Sequence, residues 1–213
     1  MNTTKADIIR EYGPFPDVAD IHGVSYDGSR VWFATGHSLC ALDPQSGQVV
    51  RTFAMAAQAG TAFDGRHLFQ FVGDRILKLD PQTGETLADL PAPEGQNSGM
   101  AWAEGSLWIG QYAARRIHQV DPETGKILRT IRCDRHVTGI TWTDGGLWHG
   151  TWEDDASELR HIDPRSGQVL DVIEMPAGMA VSGLEAGDDR FYCGGATSGV
   201  LRAVRKPARA KAT

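Results

Sequence analysis

The sequence predicts an all-β fold: a five-bladed β-propeller of four-stranded blades, closed by an N-terminal strand that completes the last blade. Three observations carry that expectation. Asp-Pro-x-Ser/Thr-Gly occurs four times, at Asp43–Gly47, Asp80–Gly84, Asp121–Gly125 and Asp163–Gly167, in steps of 37, 41 and 42 residues. A glycine opens a similar short segment at Gly23, Gly60, Gly99, Gly139 and Gly183. Between these marks the chain holds only short β-branched or aromatic runs and tight turns, which is the pattern of a propeller blade.

The elements of each repeat follow in order. The opening segments are Gly23-Val-Ser-Tyr26, Gly60-Thr-Ala-Phe63, Gly99-Met-Ala-Trp102, Gly139-Ile-Thr-Trp142 and Gly183-Leu-Glu-Ala186. A turn such as Asp27-Gly28 or Asp64-Gly65 leads into a second strand with an aromatic near its start: Trp32, Phe69, Trp108, Trp148 or Tyr192. Third strands end on the Asp-Pro turns (Leu39–Leu42, Ile76–Leu79, Ile117–Val120, Leu159–Ile162), and fourth strands leave them (Val49–Phe53, Thr86–Leu90, Ile127–Ile131, Val169–Ile173). In those turns Pro fixes φ, Asp bonds back to the main chain and Gly takes positive φ. The fifth repeat stops after three strands. Ala6–Tyr12 has the fourth-strand pattern, so the N-terminus is expected to seal the ring and remove its open edge.

Composition bounds the rest. A single domain spanning 1–206 suits 213 residues, with 207–213 expected to be a disordered basic tail. The net charge of −6 favours neither a nucleic-acid groove nor an anionic membrane as partner; a small-molecule substrate at the channel mouth is the expectation. No apolar run reaches the roughly 18 residues that cross a bilayer. Three scattered cysteines, Cys40, Cys133 and Cys193, read as small buried hydrophobes in a reducing compartment, and a cytoplasmic location is expected.

Alternating strand direction sorts the loops onto two faces. The near-identical Asp-Gly and Asp-Pro turns share one face; the connections between blades and the second-to-third loops share the other and vary from blade to blade. Variable loops on a rigid frame are where function is expected, at the mouth of the central channel. Candidate catalytic residues there are His22, His136, Glu153 and Glu185. Two imidazoles and a carboxylate can move a proton or hold a divalent ion with open positions. Glu185 is the one carboxylate among the channel-facing residues Ser25, Ala62, Ala101, Thr141 and Glu185. Gln58, Asn97, Gln111, Tyr112 and Trp152 are candidate substrate-binding residues, offering neutral hydrogen bonds and aromatic walls. Each also has a plain structural use, the histidines as loop caps and the aromatics as loop packing.

Segments such as Gly139-Ile-Thr-Trp-Thr-Asp-Gly-Gly-Leu-Trp148 followed by Leu159-Arg-His-Ile-Asp-Pro-Arg-Ser-Gly167 resemble the repeats of streptogramin lyases and of the gluconolactonase family. The five-blade count, with Ser182-Gly-Leu-Glu185 and Ile21-His-Gly-Val-Ser25, is more similar to the plant-type glutamine cyclotransferases. The resemblance to the lyases implies histidines and a glutamate at the channel mouth with magnesium, matched in type by His22, His136 and Glu153. Resemblance to the gluconolactonases implies a divalent cation such as calcium, with Asn97 and Glu185 as the matching residues. The cyclotransferases place a Glu before an opening glycine, where this chain has Gln58-Ala59-Gly60. The expected function is a small-molecule enzyme of lyase or cyclotransferase type, using His as general base with a carboxylate or divalent metal. A metal-dependent lactone hydrolase and a non-catalytic ligand- or protein-binding propeller are the alternatives.

Overall fold

A computed structural model describes residues 1–207; the stretch 208–213, most of the tail expected to be disordered, lies outside the described residues. Strands β1 (Asn2–Lys5) and β2 (Ile8–Tyr12) precede the first blade. Blade 1 is β3 (Val24–Tyr26), β4 (Val31–Ala34), β5 (Gly36–Leu42) and β6 (Val49–Ala57). Blade 2 is β7 (Thr61–Phe63), β8 (Leu68–Val72), β9 (Arg75–Leu79) and β10 (Thr86–Pro91). Blade 3 is β11 (Asn97–Ala103), β12 (Ser106–Gln111), β13 (Arg116–Val120) and β14 (Ile127–Arg132). Blade 4 is β15 (Ile140–Thr143), β16 (Gly146–Gly150), β17 (Glu158–Ile162) and β18 (Val169–Glu174). Blade 5 is β19 (Leu184–Ala186), β20 (Arg190–Gly194) and β21 (Leu201–Arg205), completed by β2.

That last pairing is antiparallel, with Ile8 opposite Val204 and Tyr12 opposite Leu201, as the N-terminal pattern predicts. From β2, Arg10 donates to the carbonyls of Pro44 and Gln45 (2.9 and 2.8 Å), and Tyr12 Oη to that of Pro44 (3.0 Å). The closing strand therefore grips blade 1 as well as completing blade 5. One strand escaped the sequence pattern. β1 adds to blade 4 as a fifth strand, parallel to β18, and all four of its residues are exposed. Asn-Thr-Thr-Lys carries no apolar alternation, so its strand state comes from backbone pairing with β18 and the Lys5–Glu174 ion pair (2.6 Å).

The Asp-Pro turns follow their predicted chemistry. In the first, Asp43 Oδ1 accepts from the Gln45 amide at 2.9 Å and Gly47 N–H returns to the Asp43 carbonyl at 2.8 Å. Gly47, Gly84, Gly125 and Gly167 all have φ between +71° and +80°. The core is not central but divided into layers between blades. Tyr12, Val24, Phe33 and Leu201 fill the layer between blades 5 and 1, for example, and Phe69, Phe71, Met100 and Ile109 that between blades 2 and 3. The cysteines are free, and burial pushes the Cys133 and Cys193 thiols up to about 12, which leaves them inert packing groups.

At the axis the five opening glycines form a ring in which each abuts the next. A Cβ on Gly23 would lie 2.8 Å from Gly60 Cα. Cβ atoms on Gly60 and Gly139 would overlap the main chain at Gly99 and Gly183, and one on Gly183 would sit 2.7 Å from Val24 N, closing the circle. Five blades leave a channel that only glycine can line at this level.

Candidate functional site

The glycine ring is the floor of a cleft of about 210 Å³ at the variable face. Every blade sends the residue preceding its glycine into this cleft: His22, Ala59, Ser98, Thr138 and Ser182, joined by Gln58, Gln96, Asn97 and Tyr112. The repeat fixes this convergence, since each inner strand enters the ring from the same side. His22 supplies the only imidazole among these lining residues, and no carboxylate joins it. Its backbone amide donates to the Ala34 carbonyl at 2.9 Å, and its ring lies over Gly36, whose Cβ position is 3.6 Å from His22 Nε2. The Ser98 hydroxyl donates to the Val137 carbonyl (2.7 Å) and that of Ser182 to the Ile21 carbonyl. Thr138 borders the cleft, but its Oγ1 is buried against Gly150 with no hydrogen-bond partner. Thr138 was not among the candidate residues; its position one before Gly139, as His22 stands before Gly23, was the available signal.

Asn97 and Gln111 form the inner rim rather than loose substrate contacts. Gln111 is buried; its Nε2 donates to the Glu94 carbonyl and to Asn97 Oδ1 (2.8 and 3.1 Å), and its Oε1 accepts from Arg116. Asn97 Nδ2 in turn holds the Pro93 carbonyl at 2.8 Å.

His136, Glu153 and Trp152 lie in an adjoining cleft of about 390 Å³, with Tyr112 as the shared wall. The Tyr112 and His136 rings meet at a centroid distance of 4.5 Å, and Tyr112 Oη donates to the Trp152 carbonyl at 2.9 Å. Glu153 accepts from Arg135 Nη1 (2.7 Å) and from the His136 amide (2.8 Å), with Arg115 Nη2 3.2 Å away. Burial works against its charge, but Arg135, the His136 amide and Arg115 outweigh burial and hold Glu153 below the usual carboxylate range. A carboxylate held this way is a poor base; it organises two guanidinium groups at the cleft edge. Neither arginine was singled out from sequence, because the blade order alone does not show that they converge on Glu153. His136 Nδ1 is buried 3.5 Å from Glu153 Oε1 without making a hydrogen bond.

Glu185 joins neither cleft. It stands two residues past Gly183, roughly 7 Å deeper along an extended strand, on the far side of the glycine floor. There its carboxylate accepts from the Thr141 hydroxyl, the Ala186 amide (2.8 Å) and the Ser25 hydroxyl (3.3 Å). Burial dominates these three donors and pushes Glu185 up to about 7, from an ordinary 4.5. Between pH 4.5 and 7 the folded chain thus holds a proton that the unfolded chain has released, so stability falls as pH rises through that window. Glu185→Gln removes this dependence. At pH 8 the variant is expected to be more stable than wild type by about 1–3 kcal/mol, with equal stability near pH 4, measured by urea unfolding. A variant that loses stability at pH 8 would show that the carboxylate is charged and well satisfied.

The expected divalent ion finds no assembled donor set. Among the described residues no three His, Cys, Asp or Glu side chains are placed to ligate together. Glu153 is engaged by arginines, Glu185 lies beyond the floor, and His22 has no carboxylate beside it in its cleft. Two further histidines, His118 and His149, serve the frame. His118 bonds Thr130 (2.8 Å), and buried His149, pushed down to about 4 by desolvation, bonds the Gly150 carbonyl.

This architecture and mouth define the molecule as a five-bladed β-propeller. No family model and no curated protein matches the chain. Among solved structures it is similar to the glutaminyl cyclase of Myxococcus xanthus, with a TM-score of 0.81 and 18% identity, covering 96% of this chain and 97% of that one. It is also similar to the WD40 repeats of RRP9, with a TM-score of 0.60 and 9% identity over 94% of this chain and 100% of that one. At these identities the likeness establishes the fold.

Proposed function

We propose that this propeller is a cyclotransferase acting on an N-terminal glutaminyl residue, closing the γ-carboxamide onto the α-amine with release of ammonia. The observation that carries the reading is the mouth cleft, where one imidazole stands among neutral amides and hydroxyls above a glycine floor. The likeness in fold to a glutaminyl cyclase supports the choice of substrate.

In this reading the floor prevents the substrate from entering the channel, so its first residue folds back within the cleft. Gln58 and Gln96, exposed on the rim, offer amide hydrogen bonds to a carboxamide. His22 takes a proton as the α-amine attacks the side-chain carbonyl carbon, forming the N–C bond of a five-membered ring. It then returns that proton to the departing nitrogen as the old C–N bond breaks, and ammonia leaves. The amine and carbonyl belong to one residue, so positioning contributes most of the acceleration. Following residues of the substrate lie along Tyr112 toward His136 and Arg115.

The test is ammonia release from a short peptide beginning with glutamine. Wild type is expected to turn it over, and His22→Ala to lose about 100-fold or more in kcat with its fold intact. Failure of wild type to release ammonia overturns the reading; peptide binding without turnover would make the mouth a recognition site instead.

A further inference from the structure

A second site lies far from the mouth, on the side of the molecule between blades 4 and 5. It follows from one irregularity in the repeat. The fourth residue of each opening segment is aromatic in four blades (Tyr26, Phe63, Trp102, Trp142) and alanine in the fifth, at Ala186. Each of these aromatics serves the interface with the preceding blade. Trp102 stacks on Phe69 (5.5 Å between centroids), Trp142 meets Trp108 (5.4 Å) and Tyr26 meets Tyr192 (5.4 Å). Phe63 packs in the cluster of Trp32. Trp148 of blade 4 alone has no ring from its neighbour's inner strand.

The gap is only partly repaired. Phe191, at a position occupied by Val31, Leu68, Leu107 and Leu147 in the other blades, swings against Trp148 at 4.9 Å. His161 stacks on the indole in parallel, also at 4.9 Å. Lys206 crosses from blade 5, donating to Thr143 Oγ1 at 2.8 Å with its ammonium 5.9 Å from the Phe191 ring centre. What remains is a cavity of about 270 Å³, walled by Trp148, His161, Phe191, Val172 and Ile173 and rimmed by Asn2 and Thr4 of β1. Its charges are unevenly exposed. Lys206 is held inward beside Asp144 (3.6 Å), whereas the Asp171 carboxylate, anchored by His161 Nδ1 at 3.1 Å, is 42% exposed at the edge.

We infer that this inter-blade cavity binds a small arylalkylamine, its flat ring taking the place of the missing inner-strand aromatic and its ammonium pairing with Asp171. Ring-on-ring packing is what the other interfaces use to fill the equivalent layer, so the occupant is aromatic. A compact cavity limits it to one ring or a fused pair. The inference is independent of the chemistry at the mouth.

Titration of the full chain with tryptamine, followed by the indole N–H resonances of the ¹⁵N-labelled protein, tests it. The Trp148 resonance is expected to shift saturably. Asp171→Asn should weaken tryptamine about fivefold or more while leaving uncharged indole unchanged. Thr4→Trp, an exposed substitution at the rim, should block both probes. The inference is overturned if saturating tryptamine leaves Trp148 unmoved, if Asp171→Asn binds it as well as wild type, or if indole-3-acetate binds as tightly as tryptamine.

Discussion

Gly99→Ala is expected to abolish cooperative folding or to cost at least about 4 kcal/mol, an effect reserved for a few mechanisms. The added Cβ would lie 2.5 Å from the Thr138 carbonyl oxygen and 2.7 Å from Ile140 N, both main-chain atoms of the next blade. A clash with a flexible side chain can be relieved by a rotamer change. Backbone fixed in the adjoining inner strand cannot move without carrying its own glycine, and the ring passes that displacement around the axis. Gly105→Ala is the appropriate comparison. Its φ is +69°, yet nothing lies within 4 Å of the added carbon, so only the left-handed conformation is penalised, by about 1–2 kcal/mol. Thermal and urea unfolding of the two variants distinguish steric closure of the axis from ordinary backbone strain. Equal losses would mean the ring has slack.

Deletion of residues 1–12 is expected to have the second largest effect. It strips β2 from β21 and leaves an unpaired edge on blade 5. It removes Tyr12 from the layer between blades 5 and 1, together with the bonds from Arg10 and Tyr12 to the first Asp-Pro turn. Blades 5 and 1 would then meet only through the inner parts of their sheets. An exposed edge of this kind pairs with other chains, so the truncated protein should elute as oligomers or aggregate. A synthetic peptide of residues 1–13 should restore the monomer. A truncated chain that stays monomeric and melts within about 2 °C of wild type would contradict the closure.

The frame was legible because it is written five times. The turns, the opening glycines and the stray fourth strand at Ile8–Tyr12 each repeat a local pattern whose physics is local. β1 was not legible, since four polar residues become a strand only beside β18. The mouth was half legible. The residue before each glycine can be read off the repeat, which finds His22 and places Thr138 beside it. The order Ser182-Gly183-Leu184-Glu185 also implies that Ser182 and Glu185 fall on opposite sides of the ring, but only once the ring is known to be closed. What sequence could not show is how residues of different blades engage one another. Glu153 looked like a free carboxylate until Arg115 and Arg135, from other turns of the chain, were seen to hold it. The alanine at position 186 was visible from the start, yet its meaning depends on which blade its neighbours face.

The central claim is that a closed glycine floor turns the variable face into a reaction cleft served by His22. A crystal structure of the full chain soaked with a glutamine-initiated peptide tests this most directly. The account predicts the peptide's α-nitrogen above the ring, within about 3.2 Å of the His22 imidazole and with its carboxamide near Gln58 and Gln96. Peptide density on the Asp-Pro face, or at the mouth with the first residue turned away from His22, would contradict it.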